Sequence, residues 1–118
     1  MRGLLAAAFG MTLASCTAST WDDEVEPLFA AECASCHSGS TPEADLLLDD
    51  RDALIDAPAT QADMPLVRPG DHLDSYLWHK LANTQAIAGG SGSAMPQGRV
   101  LDDELVDLVG AWIDAGAP

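Results

Sequence analysis

The sequence is poor in positive charge, in aromatic residues and in long apolar runs. Five Lys and Arg residues stand against 19 Asp and Glu, which gives a formal net charge of −14. Nucleic acids and anionic membrane surfaces attract basic proteins, so neither is an expected partner; a protein with a basic patch is. No apolar run reaches the roughly 20 residues that a transmembrane helix needs. Neither an internal repeat nor a strand pattern is present, so the predicted fold class is all-α.

The first residues have the pattern of a bacterial export signal. One arginine precedes a short apolar run, in the proportions of a signal-peptide core. The letters LASC, which end at Cys16, resemble the box in which a lipoprotein cysteine is acylated before cleavage. An ordinary secretory peptide with a chance cysteine is the alternative. The predicted parts are a leader (1–15), a lipidated tether (16–20) and one domain (21–118).

Residues 33–37 read CASCH, which is the C-x-x-C-H attachment pattern of a c-type haem. Cys33 and Cys36 are spaced to form thioethers with the two vinyl groups of one porphyrin, and His37 then lies under the iron as its proximal ligand. The pattern predicts one covalently attached haem c per chain. With lipid on Cys16, all three cysteines are accounted for. Both modifications belong to the exported side of a bacterial membrane, so the protein is expected to be anchored there and not to span the bilayer.

Two other interpretations of the cysteine pair fit the sequence less well. A structural zinc site needs four N or S ligands, and the only later candidates, His72 and His79, are not at the usual spacing. A thioredoxin-like redox pair is expected in a βαβ context, which the chain does not offer.

The sixth iron ligand is predicted to be Met95. It follows a glycine-rich segment that can bring a thioether to the far face of a haem, and Met/His ligation suits an electron carrier. Met64 has the same Met-Pro pair but lies nearer to His37 in sequence, before a rigid turn. His79 would give bis-histidine ligation, and His72 is interpreted as a loop or helix-start residue.

Apolar spacing predicts three main helices and one short one. The first begins near Thr20 and brings Cys33 to its apolar face. A short helix is predicted over 50–56, and the glycine-rich segment 88–94 is predicted to be a flexible loop. The middle helix has inward positions Leu73, Leu77, Trp78 and Leu81. The last helix opens after Asp102 with inward positions Leu105, Leu108, Val109, Trp112 and Ile113.

The mature chain resembles the small monohaem bacterial cytochromes c, of an exported lipoprotein type. The segments that carry the resemblance are 29–37, 68–81, 95–96 and 111–118. It implies the cytochrome c fold, in which the first and last helices cross and Phe29 meets Trp112. It also implies that His37 and Met95 are the axial ligands. Many cytochromes c display lysines around the haem edge, whereas Lys80 is the only lysine here, so docking through a basic ring is not expected.

The predicted function is that of a monomeric, membrane-anchored one-electron carrier, not an enzyme, which faces the periplasm or the outer-membrane surface. Its redox partner is expected to carry the basic docking patch. A peroxidase-like enzyme or a small-molecule sensor with an open distal site is the alternative. A structural lipoprotein with an accidental C-x-x-C-H is the third possibility.

Overall fold

The computed structural model describes residues 20–33, 36–37, 46–96 and 101–118. Its α-helices are α1 (Glu26–Glu32), α2 (Arg51–Leu54), α3 (Tyr76–Ala82) and α4 (Asp103–Asp114). A π-helical turn (Trp21–Val25) leads into α1, and a 3-10 turn (His72–Asp74) precedes α3. Over these ranges there is no β-strand, only two isolated bridges, so the all-α class is confirmed. The leader and Cys16 lie outside the described residues. In the part of the chain that is described, no helix is long and apolar enough to cross a membrane.

The first helix begins where the sequence predicts. Thr20 is in extended conformation, and its hydroxyl accepts a hydrogen bond from the backbone N–H of Asp23 at 3.3 Å, as expected of an N-cap. Three acidic residues occupy the first turn, where the helix dipole favours negative charge. One face buries Val25, Phe29 and Cys33, so the helix brings the first cysteine of the CASCH motif to the core.

Helix α4 packs against the π-helical turn, where the ring of Trp21 contacts both Trp112 of α4 and Phe29 of α1. The ring of Trp21 lies 5.8 Å from Phe29 and 5.7 Å from Trp112, between their centroids. The end of the chain closes over this contact, because the carbonyl of Pro118 accepts hydrogen bonds from the backbone N–H of Trp21 at 2.8 Å and from Trp112 Nε1 at 2.9 Å. The first and last helical segments therefore meet, but the ring contacts of Phe29 and of Trp112 are both with Trp21, and the expected direct contact of Phe29 with Trp112 stays a prediction.

One predicted core position is wrong. Leu73 was expected to share the inward face of the middle helix, but it is 62% exposed. The helix begins at Tyr76, after Ser75 has taken an extended conformation. The Ser75 hydroxyl is engaged by the preceding turn: it accepts from the N–H of Arg68 at 2.8 Å and donates to the carbonyl of Asp71 at 2.7 Å. This break resets the helical phase, so Leu73 does not share the face of Leu77.

Residues 46–96 form a set of short elements joined by backbone hydrogen bonds. Helix α2 is capped by Asp50, whose side chain accepts from two backbone N–H groups, and it ends at Leu54, earlier than predicted. The strand-like segment 65–67 holds the start of α3, because Pro65 and Leu66 carbonyls accept from the N–H groups of Tyr76 and Leu77 at 2.9 and 3.0 Å. These elements, together with the end of α1, surround a cavity.

Candidate functional site

A cavity of about 750 Å³ lies between the end of α1, the segment 46–66 and α3. Its volume is within the range of roughly 300–1,000 Å³ that is typical of ligand sites. Most of its wall is apolar, from Leu46, Leu47, Leu48, Ala53, Ala57, Pro58, Leu66, Leu77, Leu81 and Pro96. The same wall carries Cys33, Cys36, His37 and Met95, together with the ionisable side chains of Glu32, Tyr76 and Lys80.

Cys33, Cys36 and His37 are joined to one another at the end of α1 by backbone hydrogen bonds. The carbonyl of Cys33 accepts from the N–H groups of Cys36 and His37 at 3.1 and 3.0 Å, so the chain turns sharply there. The carbonyl of His37 in turn accepts from the N–H of Leu48 at 2.7 Å. Both His37 and Cys33 are buried, whereas Cys36 is exposed. All three residues are thus placed on one side of the cavity by a single turn.

The thiol of Cys33 is buried at the end of α1. Burial, followed by the neighbouring Cys36, raises its pKa to about 11. Catalytic and redox cysteines in C-x-x-C pairs have a lowered pKa, which supplies the reactive thiolate, so the shift at Cys33 is opposite to the one that a thioredoxin-like pair needs. Among the described residues, no cluster of three or more His, Cys, Asp or Glu side chains is arranged to hold a metal ion.

Met95 lies on the wall of the same cavity, 58 residues after His37 in sequence. It is half-buried and packs against the core. Its backbone N–H donates to the carbonyl of Lys80 in α3 at 3.0 Å, which holds the start of its side chain beside the cavity. The structure therefore brings together the motif and the methionine that the sequence proposed as its partner.

The other candidate ligands are placed elsewhere. Both ring nitrogens of His79 have partners: Nδ1 lies 2.6 Å from Thr84 Oγ1 and Nε2 lies 2.7 Å from the carbonyl of Leu73. His72 is paired with Asp114, with Nδ1 2.8 Å from a carboxylate oxygen. Met64 lines a separate surface hollow together with Asp63 and Arg68. None of these three side chains is on the wall of the cavity that Cys33 lines.

Lys80 is a residue of this site that sequence reasoning missed. It lines the cavity and is only 8% exposed, although it is the one lysine of the chain. Its ammonium group donates to the carbonyls of Ser91 and Ser93 at 2.9 and 3.0 Å. Desolvation lowers its pKa below the usual value of 10.5. The sequence did contain a signal that Lys80 is buried. Leu77 and Leu81, at positions i−3 and i+1, lie on the buried face of α3 and flank Lys80 on that face.

The sequence matches the family model described as planctomycete cytochrome C over residues 33–96, which is more than half of the chain. The chain belongs to this cytochrome c family. The match begins at the first cysteine of CASCH and ends next to Met95, so it spans the motif, the cavity wall and the methionine. Comparison with the curated proteins and with the solved structures returned no match.

Membership makes the chain a haem- and iron-binding protein of the electron-carrier class, with the all-α cytochrome c fold. The cavity of this cytochrome fits a haem in its chemistry. The walls are mostly apolar, as a porphyrin face requires, and polar side chains such as Thr60 and Gln61 are present on the same wall. Cys33, Cys36 and His37 are the residue types that attach and ligate a c-type haem, and Met95 supplies a thioether.

Proposed function

We propose that this cytochrome holds one haem c, attached through Cys33 and Cys36 and ligated by His37 and Met95, and acts as a one-electron carrier. The observation that carries the proposal is the shared cavity: the two cysteines, the histidine and the methionine all line it. His79 is the rival ligand that would have lowered the potential, and its two ring nitrogens are held by Thr84 and Leu73. The haem iron supplies the one-electron couple.

The residues around the cavity have a clear role in such a carrier. Leu48, Leu77 and Leu81 are buried, and they exclude water from the space beside the motif. A low-dielectric, pre-organised site reduces the rearrangement that accompanies a change of iron charge.

The ligand assignment is tested by optical spectroscopy of the protein matured in an exporting host that attaches haem. The wild type is expected to show the reduced bands of a c-type haem and, when oxidised, the weak far-red band of a methionine–iron bond. Met95→Ala should abolish the far-red band and keep the haem. Met64→Ala is the matched control, because its side chain lines a different hollow, and it should leave the band unchanged.

Three outcomes contradict parts of this proposal. A far-red band that survives in Met95→Ala but is lost in Met64→Ala would transfer the ligand role to Met64. A wild type without the band that binds carbon monoxide or cyanide readily would indicate an open-site enzyme or sensor. The absence of covalent haem would exclude the carrier altogether.

We propose further that the carrier is exported and held at a bacterial membrane by lipid on Cys16. The support is the sequence pattern of the leader, which ends in LASC, and the requirement that thioether attachment takes place on the exported side. Cys16→Ser should release the haem-containing protein from the membrane fraction and abolish incorporation of labelled fatty acid. Retention of Cys16→Ser in the membrane fraction would contradict the lipid anchor.

The proposed redox partner carries positive charge where it docks. The three basic residues within the described ranges are all engaged: Arg51 pairs with Asp52, Arg68 with Asp74, and Lys80 is buried. With a net charge of −14, the exposed surface is dominated by carboxylates, and such a surface speeds association with a basic partner in a salt-dependent way. Electron transfer to a basic acceptor protein should therefore slow as ionic strength rises, whereas transfer to an acidic acceptor should not.

A further inference from the structure

The glycine-rich segment 88–94, here called the glycine loop, leads directly to Met95 and is tied by several polar contacts to α3 and to the turn that follows α3. Tyr76 donates its hydroxyl hydrogen to the carbonyl of Ser91 at 3.1 Å. Gln85 donates its amide to the carbonyl of Gly92 at 3.4 Å. Lys80 reaches two carbonyls of the same loop, those of Ser91 and Ser93. The loop that was predicted to be flexible is therefore held along its second half.

The loop also packs closely on Tyr76. A Cβ atom added at Gly90 would lie 2.3 Å from the Tyr76 hydroxyl oxygen, far inside contact distance, so only glycine fits at this position. A Cβ at Gly92 would lie 3.0 Å from the ammonium nitrogen of Lys80. The backbone of the glycine loop therefore approaches the side chains of Tyr76 and Lys80 so closely that a side chain at Gly90 or Gly92 would crowd them.

Burial of Lys80 has a cost that these contacts offset. A buried ammonium group is rare unless it is paired. Among the ion pairs of the described residues, none includes Lys80. Its partners are instead the two loop carbonyls and the face of the Tyr76 ring, whose centroid is 5.6 Å from the ammonium nitrogen. Hydrogen bonds from a charged donor are stronger than neutral ones, so Lys80 is the strongest of the three side chains that hold the loop.

Lys80 also holds Met95 directly, through its own backbone carbonyl. The carbonyl of Lys80 accepts the backbone N–H of Met95 at 3.0 Å, while the side chain of Lys80 reaches the carbonyl of Ser93, two residues earlier. The main chain and the side chain of Lys80 therefore hold both ends of the three-residue segment 93–95, which ends at the methionine. Because Lys80 also lines the cavity, this approach is fixed directly beside the space that the haem is proposed to fill.

We propose that Lys80 is a positioning residue for the sixth ligand: its ammonium group holds the glycine loop so that Met95 is delivered to the iron. The inference rests on the proposed function, since it requires that Met95 ligates the haem. It assigns the only lysine of the chain a role inside the site, in place of a role in docking.

The test compares Lys80→Leu with Arg68→Leu in the haem-loaded, full-length mature protein. Lys80→Leu keeps an apolar side chain on the cavity wall and removes the charge and the donors without adding a possible iron ligand, whereas Arg68→Leu removes a cation from an exposed ion pair with Asp74. The readouts are the far-red band and the affinity of the oxidised protein for imidazole. We expect a weaker band and imidazole binding that is about tenfold tighter in Lys80→Leu, as the loss of charged hydrogen bonds implies, and neither change in Arg68→Leu.

A merely structural role makes a different prediction. It lowers the thermal stability of Lys80→Leu but leaves the band and the imidazole affinity at their wild-type values, and this result would overturn the inference. If Lys80→Leu does not fold, Lys80→Gln, which keeps a shorter neutral donor, is measured in the same way and should show the same two changes at smaller size. A wild type without the far-red band would overturn the Met95 assignment and this inference together, whereas a band lost in Met95→Ala but intact in both Lys80 variants would overturn only the role of Lys80.

Discussion

The two ends of the chain and its middle contribute to one hydrophobic core, but they differ in the other contacts that hold them. At the ends, the terminal helix pair (residues 21–32 and 103–114) is joined by aromatic rings in edge-on and tilted contact. In the middle, the cavity segment (residues 46–96) is joined in addition by backbone hydrogen bonds, capping side chains and the ammonium group of Lys80. Most of the wall of the cavity of about 750 Å³ comes from this second region, and the end of α1 with the residues that follow it supplies the rest. The cavity wall thus depends more on polar contacts of the main chain than the terminal helix pair does.

The largest expected effect is in the terminal helix pair. Trp112 is fully buried, contacts the ring of Trp21 and donates to the carbonyl of Pro118. Trp112→Ala should lower the free energy of unfolding by about 3–5 kcal/mol, because it leaves a large cavity in the core. Denaturant unfolding of the haem-loaded protein measures this. Ala111→Ser, at an exposed position of the same helix, is the control; an equal effect of the two variants would refute the central role of the ring contact.

The next effect concerns the cavity segment. Gly90→Ala places a methyl group 2.3 Å from the Tyr76 hydroxyl oxygen, so the glycine loop must move, and we expect a loss of about 1–3 kcal/mol. Amide hydrogen exchange should become faster in the glycine loop and stay unchanged in α4. Ile87→Ala, at a position just before the loop that is 87% exposed, should change neither. Faster exchange in α4 would show that the two regions are not independent.

A smaller effect is expected where the two regions are linked. Asp114 of α4 accepts from the backbone N–H of His72 at 3.0 Å and pairs with its ring. Burial alone would raise the pKa of Asp114, but the hydrogen bonds and charge of His72 outweigh it and hold this pKa below its ordinary value of 3.8. Stabilisation from a carboxyl with a lowered pKa is present above the ordinary value and is lost as the pH falls through the lowered one.

Asp114→Asn should therefore lower the free energy of unfolding by about 1 kcal/mol or less at pH 7, since the pair is partly exposed to solvent. The difference from the wild type should shrink as the pH falls below about 4. Urea unfolding midpoints from neutral to acidic pH measure this difference. Asp107→Asn, an exposed carboxyl of the same helix, is the control; a gap between Asp114→Asn and wild type that persists at the lowest pH would refute the link through ionised Asp114.

The sequence predicted the terminal helix pair well, for physical reasons. Val25 and Phe29 in the first helix, and Val109, Trp112 and Ile113 in the last, recur at helical spacing, and this regular pattern is what a packed helix imposes on its sequence. The CASCH motif can also be recognised from the sequence, because the chemistry of haem attachment fixes the spacing of its two cysteines and its histidine. Met95 was proposed because it follows the glycine-rich segment and supplies a thioether, and the structure places it on the wall of the cavity. Its ligation of the iron stays a prediction.

The cavity segment could not be predicted to the same depth. Lys80 contacts the backbone carbonyl groups of Ser91 and Ser93. Because every residue has a backbone carbonyl, the residue types in the loop give no indication that these contacts form. The burial of His79 depends in the same way on the carbonyl of Leu73. Contacts of this kind are set by the path of the main chain, and periodicity carries no information on that path.

The smallest expected effect concerns Leu73, whose predicted position was wrong because periodicity does not show where the main chain leaves the helix. Leu73 was predicted to lie on the inward face of the middle helix, together with Leu77. In the structure Leu73 is 62% exposed in the 3-10 turn, whereas Leu77 is buried in the core. Leu73→Ala should change the free energy of unfolding by no more than about 0.5 kcal/mol, as is usual for surface positions, while Leu77→Ala should cost about 2–5 kcal/mol. Comparable losses in thermal or denaturant unfolding would mean that the helical phase continues through Ser75 after all, and that the extended conformation of this serine does not divide the turn from α3.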